Sequence, residues 1–321
     1  MNKLVFGALA LTLTSTAGFA SDNEWLSLDQ EIDALASSLT VQGGAGIGGW
    51  IGANYSTNSD TNMAEFGTVG RFNVTGSVGD YGYKVSIDHA TGDGDGDGLM
   101  VRDAYVSFPC GDAITTTFGQ FKQPYNRSGL ISGNRLLFLG RTDVARAGRS
   151  EGIKVSGSFD ALDWAVSMQD NDGVTDDETV MTVRATFDLM GDGVGNVEGA
   201  YGAGDGMNAT IGVAMSDDSA ADTSDTNIEF NMTGGAWSIG AEMDDDDASG
   251  DTATAITASY MLTPDTWELA VRMENDGADG SDDDIRFGVN KYVSGHDCKW
   301  QFDYDSGDDT DTISVGVLVS F

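Results

Sequence analysis

The chain has 321 residues and carries 52 Asp and Glu against 16 Lys and Arg, a formal net charge of −36. This charge excludes nucleic acid and anionic lipid headgroups as direct partners unless divalent cations bridge them. Two cysteines, Cys110 and Cys298, do not make a disulfide scaffold, and the length suits one large β domain or two small ones.

Residues 1–20 predict a secretory signal peptide. Lys3 gives a basic start, residues 4–13 are an apolar run, and the small residues Gly18 and Ala20 indicate cleavage after Ala20. The run is too short to cross a bilayer as a helix, and no other stretch approaches 18 apolar residues. If the protein lies in a membrane, a closed barrel is the architecture left to it.

Residues 21–40 predict a short amphipathic helix on the periplasmic side. One stripe of apolar residues recurs at steps of three and four: Trp25, Leu28, Ile32, Leu35 and Leu39. Two heptads are too few for an independent helix. The helix therefore either packs against the following domain or joins a three-stranded coiled coil at a trimer axis.

Residues 41–321 predict a β-barrel. Sixteen runs of alternating apolar and polar residues follow one another with about 17 to 18 residues per run and loop, which suits strands that cross a bilayer at a tilt. The last run places Val315, Val319 and the final Phe321 on one apolar face. We predict an all-β fold, a 16-stranded antiparallel transmembrane barrel. The Gly-rich link between Met190 and Met207 leaves fourteen and eighteen strands open.

The connections between the runs alternate in length and charge. One set is short, as at Gly79–Tyr81 and Gly234–Gly235, and the other is longer and acidic. Seven loops of the second set (57–64, 93–97, 170–178, 217–226, 244–252, 275–284 and 305–311) hold more than half of the 52 acidic residues. Short turns at one end and long loops at the other are typical of outer-membrane barrels.

The longest of these loops differs from the others in being basic and apolar. Between residues 122 and 154 it carries seven of the chain's cations and a cluster of leucines and Phe138. Such a loop fits a site folded inside the barrel, where its basic groups narrow the pore. The predicted constriction comprises Lys122, Arg127, Arg135, Arg141, Arg146 and Arg149. The alternative is a loop at the outer surface whose arginines pair with the acidic wall.

These features resemble known porins. A longest outer loop placed third resembles the trimeric general porins, in which that loop folds into the lumen. The segment Gly119–Lys122 followed by Pro124 is similar to the Gly-Gln-Phe-Lys-x-Pro motif of the phosphate-selective porin O/P family. The resemblance implies sixteen strands, a homotrimer and an anion path of Arg and Lys. The departure from that family is the strong acidity and the absence of dense lysine clusters.

The alternation also predicts which charged side chains face the lumen. The candidates for pore lining are Arg71, Lys84, Lys154, Arg184, Arg272, Arg286, Glu229, Glu242 and Glu268. Mixed charges across a narrow gap orient polar solutes and reject apolar ones. The predicted function is an outer-membrane porin for passive diffusion of small hydrophilic solutes and ions. The alternative is a structural or adhesive barrel whose acidic loops bind cations.

Catalytic and metal chemistry find little support. With two histidines, His89 and His296, we predict no enzyme and no metal site. The Asp-rich stretch 93–98 matches half of a calcium loop but has Ala104 where the closing Glu belongs. No cofactor is expected, and surface Ca²⁺ or Mg²⁺ is the alternative. The expected partners are two further copies of the chain, outer-membrane lipid with lipopolysaccharide, and small solutes.

Overall fold

The computed structural model describes residues 44–59, 64–91, 98–171, 179–219, 221–278, 283–307 and 311–321. The predicted signal peptide (1–20) and helix (21–40) lie outside the described residues. Within the described part, no helix is long and apolar enough to cross a membrane.

Sixteen strands form one closed antiparallel barrel in which each strand pairs with its neighbours in sequence and β16 pairs with β1. Their bounds are β1 Gly46–Asn58, β2 Ala64–Val78, β3 Tyr81–Thr91, β4 Gly98–Pro109, β5 Ile114–Lys122, β6 Arg149–Phe159, β7 Leu162–Asp170, β8 Thr179–Met190, β9 Met207–Asp218, β10 Thr223–Gly234, β11 Trp237–Asp246, β12 Asp251–Thr263, β13 Trp267–Asn275, β14 Asp284–Ser294, β15 Cys298–Ser306 and β16 Asp311–Ser320. The prediction of a sixteen-stranded antiparallel barrel is confirmed.

The barrel is inverted relative to a soluble domain, because its apolar side chains face outward. On β13, Trp267, Leu269 and Met273 are exposed on the outer surface, whereas Glu268 and Arg272 are buried inside. The same alternation closes the barrel at β16, and the backbone of Phe321 exchanges two hydrogen bonds of 3.0 Å with Gly49 of β1. The period-two pattern thus fixes which residues face the lumen.

Two connections lie inside the barrel. The first, L3 (residues 123–148), joins β5 to β6 and contains helix α1 (Arg127–Leu130) and a 3₁₀ turn at Gly133–Arg135. The second, T4 (residues 191–206), joins β8 to β9 at the opposite end. We call these two ends of the barrel the L3 end and the T4 end. The interior location of L3 agrees with the prediction.

A bulge changes the register of β4. Ser86 of β3 pairs with Asp103, but the next residue, Ile87, pairs with Val101, so Arg102 is the extra residue on β4. Strict alternation would turn Arg102 toward lipid beside its neighbour Asp103. The bulge instead turns its guanidinium inward, where it donates to Asp88 of β3 at 3.0 Å.

Candidate functional site: the lumen between L3 and the barrel

L3 crosses the lumen and is held along its length by polar side chains of β14 to β16. Leu139 donates its backbone N–H to Asp303 at 2.6 Å, and Asn290 donates to the carbonyl of Leu137 at 2.8 Å. The deepest point of L3 is near the T4 end, where Asn134 donates to Ser320 at 3.2 Å. These contacts place the loop against one side of the barrel.

Two L3 arginines anchor the loop to the acidic strands β10 and β11. Arg127, 8% exposed, donates to Asn231 and to the carbonyls of T4, and its backbone N–H donates to Glu229. Arg146 forms ion pairs with Asp225 and Asp244. Both guanidinium groups therefore bind carboxylates and carbonyls that hold the loop, which corrects the expectation that they face the water column freely. Arg127 also borders the third cavity described below.

Of the other predicted constriction residues, some line open space and one does not. Arg141 donates to the carbonyls of Ser128 at 2.7 Å and Ile131 at 2.6 Å, and Lys122 donates to that of Gly129 at 2.5 Å. Both groups satisfy the end of α1 while their side chains line open space. Arg135 is exposed, and the side chains that line the cavities described below do not include it.

Open space follows the inner surface on the side of the barrel away from these anchors. A cavity of about 300 Å³ lies between L3 and strands β1–β4, β15 and β16, and shares Arg71 and Arg149 with a second of about 240 Å³ along β2–β6. The second cavity shares Leu130 and Lys154 with a third of about 310 Å³, which reaches β10 and T4. The three cavities therefore follow one another around L3.

The first two cavities have a basic lining in an acidic protein. Seven cationic side chains line them, namely Arg71, Lys84, Arg102, Lys122, Arg141, Arg149 and Lys154. Two carboxylates oppose them. Asp88 pairs with Arg71 at 2.5 Å and with Arg102, and Asp103 pairs with Lys84 at 2.7 Å and Arg149 at 2.8 Å.

Lys154 differs from the four ion-paired cations of this lining, and also from Lys122 and Arg141, which bond to carbonyls of L3. Its Nζ lies 5.2 Å from the centroid of the Phe121 ring. Among the described residues, none of the ion pairs involves it. Its charge is thus not neutralised by a neighbouring carboxylate, unlike those of Lys84 and Arg149.

The alternation of inward and outward residues did not identify Arg102 as a pore-lining residue. An arginine at a lipid-facing position of a barrel strand is unfavourable by several kcal/mol near the bilayer midplane. That cost was the signal available in the sequence, because a charge of the wrong parity next to Asp103 indicates a bulge.

The remaining pore-lining candidates face the lumen but are largely covered. Arg184 pairs with Glu229, and both are buried. Arg272 and Glu268 are 0% exposed beneath T4, which corrects their expected contact with the water column. Glu242 accepts from Ser128 of L3 at 2.8 Å, and Arg286 pairs with Asp305. Arg71, Lys84 and Lys154 line the cavities along β1–β6, and the pair of Arg184 and Glu229 borders the third cavity.

The electrostatics of L3 favour a fixed loop. Burial raises the pKa of Tyr125, and so does the hydrogen bond of 2.6 Å that its hydroxyl donates to Asp244. Burial lowers the pKa of Arg127 and of Arg141, yet a guanidinium stays protonated at any physiological pH. The loop therefore keeps its anchoring charges. Among the described residues no group of three or more His, Cys, Asp and Glu side chains is arranged to hold a metal ion.

Comparisons with known proteins agree with this architecture. Two solved variants of Rhodopseudomonas blastica porin, one with five substitutions and one with three, each share 13% identity with the chain and have a TM-score of 0.64. Each comparison covers 86% of this chain and 100% of the porin, and at this identity the likeness shows the fold. No curated protein sequence matches the chain.

The family model described as phosphate-selective porin O and P matches residues 51–312, most of the barrel. This match confirms the resemblance inferred from the Gly119–Pro124 segment, and it does not favour a structural or adhesive barrel. The chain therefore belongs to the phosphate-selective porin O and P family and is an outer-membrane channel for passive diffusion.

Proposed function

We propose that the channel conducts small hydrophilic anions in preference to cations, through the cavities along β1–β6. The observation that carries this proposal is the lining of seven cationic and two acidic side chains in a protein of net charge −36. Within a narrow gap, such groups raise the local concentration of anions. Chloride and phosphate fit this description, and the family description names phosphate.

The geometry of the lining supports recognition of oxyanions. Arg102 is the most exposed of the ion-paired cations there, with 38% of its side chain accessible, and Arg71 lies on the other side of Asp88. A guanidinium presents paired donors that match a carboxylate or phosphate. Lys154 adds a charge that no carboxylate offsets in the part of the chain described.

We further propose that the chain is exported with a signal peptide cleaved after Ala20 and assembles as a homotrimer in the outer membrane with lipid and lipopolysaccharide. The contact between subunits would involve the glycine-rich strand β1, of which Gly52 lines the lumen with Trp50. On the other face of β1, Gly49 and Ala53 are small residues that would allow close approach. A monomeric mass in mild detergent, without larger cross-linked species, would refute the trimer.

The test of anion preference is the reversal potential across a planar bilayer with a salt gradient near 1 M. We expect the wild type to favour chloride and Lys154→Ser to reduce its anion-to-cation permeability ratio by roughly fivefold, because a unit charge at 4 Å contributes about 1 kcal/mol even in water. The combined change of Lys84, Arg102 and Lys154 to Ser should reduce the ratio further, because it leaves four cationic side chains in place of seven.

Lys291→Ser is the matched control. It removes one positive charge from the outer surface of β14, where Lys291 lies 5.5 Å from the Trp267 ring, so the net charge changes equally without a change in the lumen. If the triple variant keeps the wild-type ratio, the cavities along β1–β6 are not the permeation path, and the proposal fails.

A further inference from the structure

T4 enters the barrel from the end opposite to L3 and meets L3 inside it. The backbone N–H of Glu198 donates to the carbonyl of Arg135 at 3.0 Å, and Arg127 donates to the carbonyls of Gly195 at 2.8 Å and Val197. Ala200 donates its N–H to Glu268 of β13 at 2.6 Å. The segment thus bonds to both the loop and the barrel.

Glu198 is the centre of this junction. Its carboxylate accepts from the backbone N–H of Leu137 at 2.8 Å and from the guanidinium of Arg272 at 3.0 and 3.1 Å. That guanidinium also lies 4.5 Å from the ring of Phe138. One buried carboxylate therefore joins L3, T4 and β13.

The chain geometry at T4 is specific to this packing. Gly199 has φ +94°, and a Cβ there would lie 2.6 Å from Oε1 of Glu268 and 2.7 Å from Cδ2 of Leu137. A side chain would be strained by the backbone and blocked by its neighbours. Glycine at this position allows T4 to approach L3 and β13 together.

The part of the lumen next to β10–β15 is filled with side chains. Most inward-facing side chains of β10–β15 are buried, including Asn227, Glu268, Asn290 and Lys299. The cavity against β10–β12 is about 50 Å³, room for little more than water. In contrast, the cavities on the β1–β6 side are about 300 and 240 Å³.

The length of T4 is not required to close the barrel. Met190 of β8 pairs with Ala209 of β9, so a short hairpin loop of two to five residues would join these strands. The additional residues of T4 lie inside the barrel. They contact the deepest part of L3 from the T4 end.

We propose that T4 is a positioning segment for permeation, in which Glu198 holds L3 against β10–β15 and confines solutes to the path along β1–β6. This inference rests on the proposed path, but it concerns the width of the channel and not its charge preference. Loss of T4 should open a second route and release L3.

Three variants test the proposal in single-channel recordings of the purified full-length protein in planar bilayers. In the first, residues 191–206 are replaced by a four-residue Gly-Ser linker. The second, Glu198→Gln, removes the charge opposite Arg272. The third, a double variant with Glu198→Gln and Arg272→Met, removes both charges, so that no unpaired buried charge remains. Asp205→Asn, an exposed change in the same segment, is the control.

We expect the linker variant to show at least a twofold larger conductance and to admit larger neutral sugars. The Glu198→Gln variants should show frequent transitions between conductance levels, and Asp205→Asn should match the wild type. Strand content and heat-modifiable migration report folding. If the linker variant or the single variant does not fold, the double variant carries the test, because it removes the ion pair of Glu198 and Arg272 without leaving an unpaired buried charge.

Wild-type conductance and size limit in the folded linker variant, or in the folded double variant, would overturn the role of T4. Such a result would leave the anion preference untouched, since that is read from reversal potentials of the Lys154 and triple variants. A lost preference with an unchanged conductance on removal of T4 would likewise refute this inference and not the proposed path.

Discussion

Burial and partners, more than position in the sequence, decide what each basic residue of L3 does. Arg127 and Arg141 lie in the same loop, but Arg127 is 8% exposed and bonds to Asn231 and the carbonyls of T4, whereas Arg141 bonds to carbonyls of L3 itself and lines the cavity against β1–β4. A buried cation held by acceptors from several elements fixes structure, and a partly exposed one acts on solutes. The composition of the loop alone does not separate these roles.

This difference predicts opposite phenotypes for two substitutions. Arg127→Met leaves the carbonyls of Gly195 and Val197 without their donor, at a cost of about 1–3 kcal/mol for each unsatisfied group. We expect a lower apparent melting temperature and an unchanged sign of ion preference, measured by circular dichroism and reversal potential. Lys154→Ser should leave the melting temperature unchanged and reduce the anion preference.

The control for this pair is Lys291→Met, which changes a cation on the outer surface of the barrel. It should leave both the melting temperature and the ion preference close to wild type. A stable Arg127→Met channel with reduced anion preference would contradict the assignment of Arg127 as an anchor.

At the scale of elements, the strands and the basic loop were predictable and the second interior segment was not. Period-two alternation is a local signal, and the cluster of arginines and leucines in L3 conflicts visibly with an acidic, solvated rim. T4 has no apolar periodicity, and its partners Arg135 and Glu268 lie more than 60 residues away in sequence. The sequence shows the length and the glycines of T4, but it contains no local signal for the contacts that T4 makes.

The partners of the L3 arginines were unpredictable for the same reason. The carboxylates that bind Arg146 come from β10 and β11, and their distance from the loop depends on the closure of the whole barrel. The alternation of residues along β13 places Arg272 in the lumen, but that alternation does not show that Glu198 covers Arg272.

The turn between β14 and β15 gives T4 a pH-sensitive support. His296 packs edge-on against Tyr201 of T4, with ring centroids 5.1 Å apart. Burial, together with Lys299 and Arg135, lowers the pKa of His296 to about 3. In a released state its pKa returns to about 6.5, so that state binds the additional proton between about pH 3 and 6.5.

We therefore expect the packed state of T4 to be fully favoured above about pH 6.5 and to lose stability as the pH falls, by at most about 1.4 kcal/mol per pH unit. Apparent melting temperatures of the wild type and His296→Leu between pH 7 and 4 measure this effect. Leu does not titrate, so the wild type should fall more steeply. Parallel curves would show that His296 stays neutral when T4 is released.

At the scale of the whole molecule, charge is segregated. The chain carries a net charge of −36, with acidic residues concentrated in the connections at the L3 end, while the cavities along β1–β6 have a basic lining. The two fields act over different distances. Cations in the lining contact a passing ion directly, whereas the acidic connections act through solvent and are screened by salt.

The ion preference should consequently depend on salt concentration. At about 1 M the Debye length is roughly 3 Å, so the lining dominates and anions are favoured; at about 0.01 M it is roughly 30 Å, and the acidic connections attract cations to the mouth. Reversal potentials at a constant concentration ratio should move from anion preference toward cation preference on dilution. The variant with Lys84, Arg102 and Lys154 changed to Ser should have a weaker anion preference than the wild type at every concentration, because its lining keeps four cationic side chains instead of seven. A wild-type preference that stays constant from 1 M to 0.01 M would mean that the acidic connections do not influence the channel, and that the charge of the chain serves a purpose other than permeation.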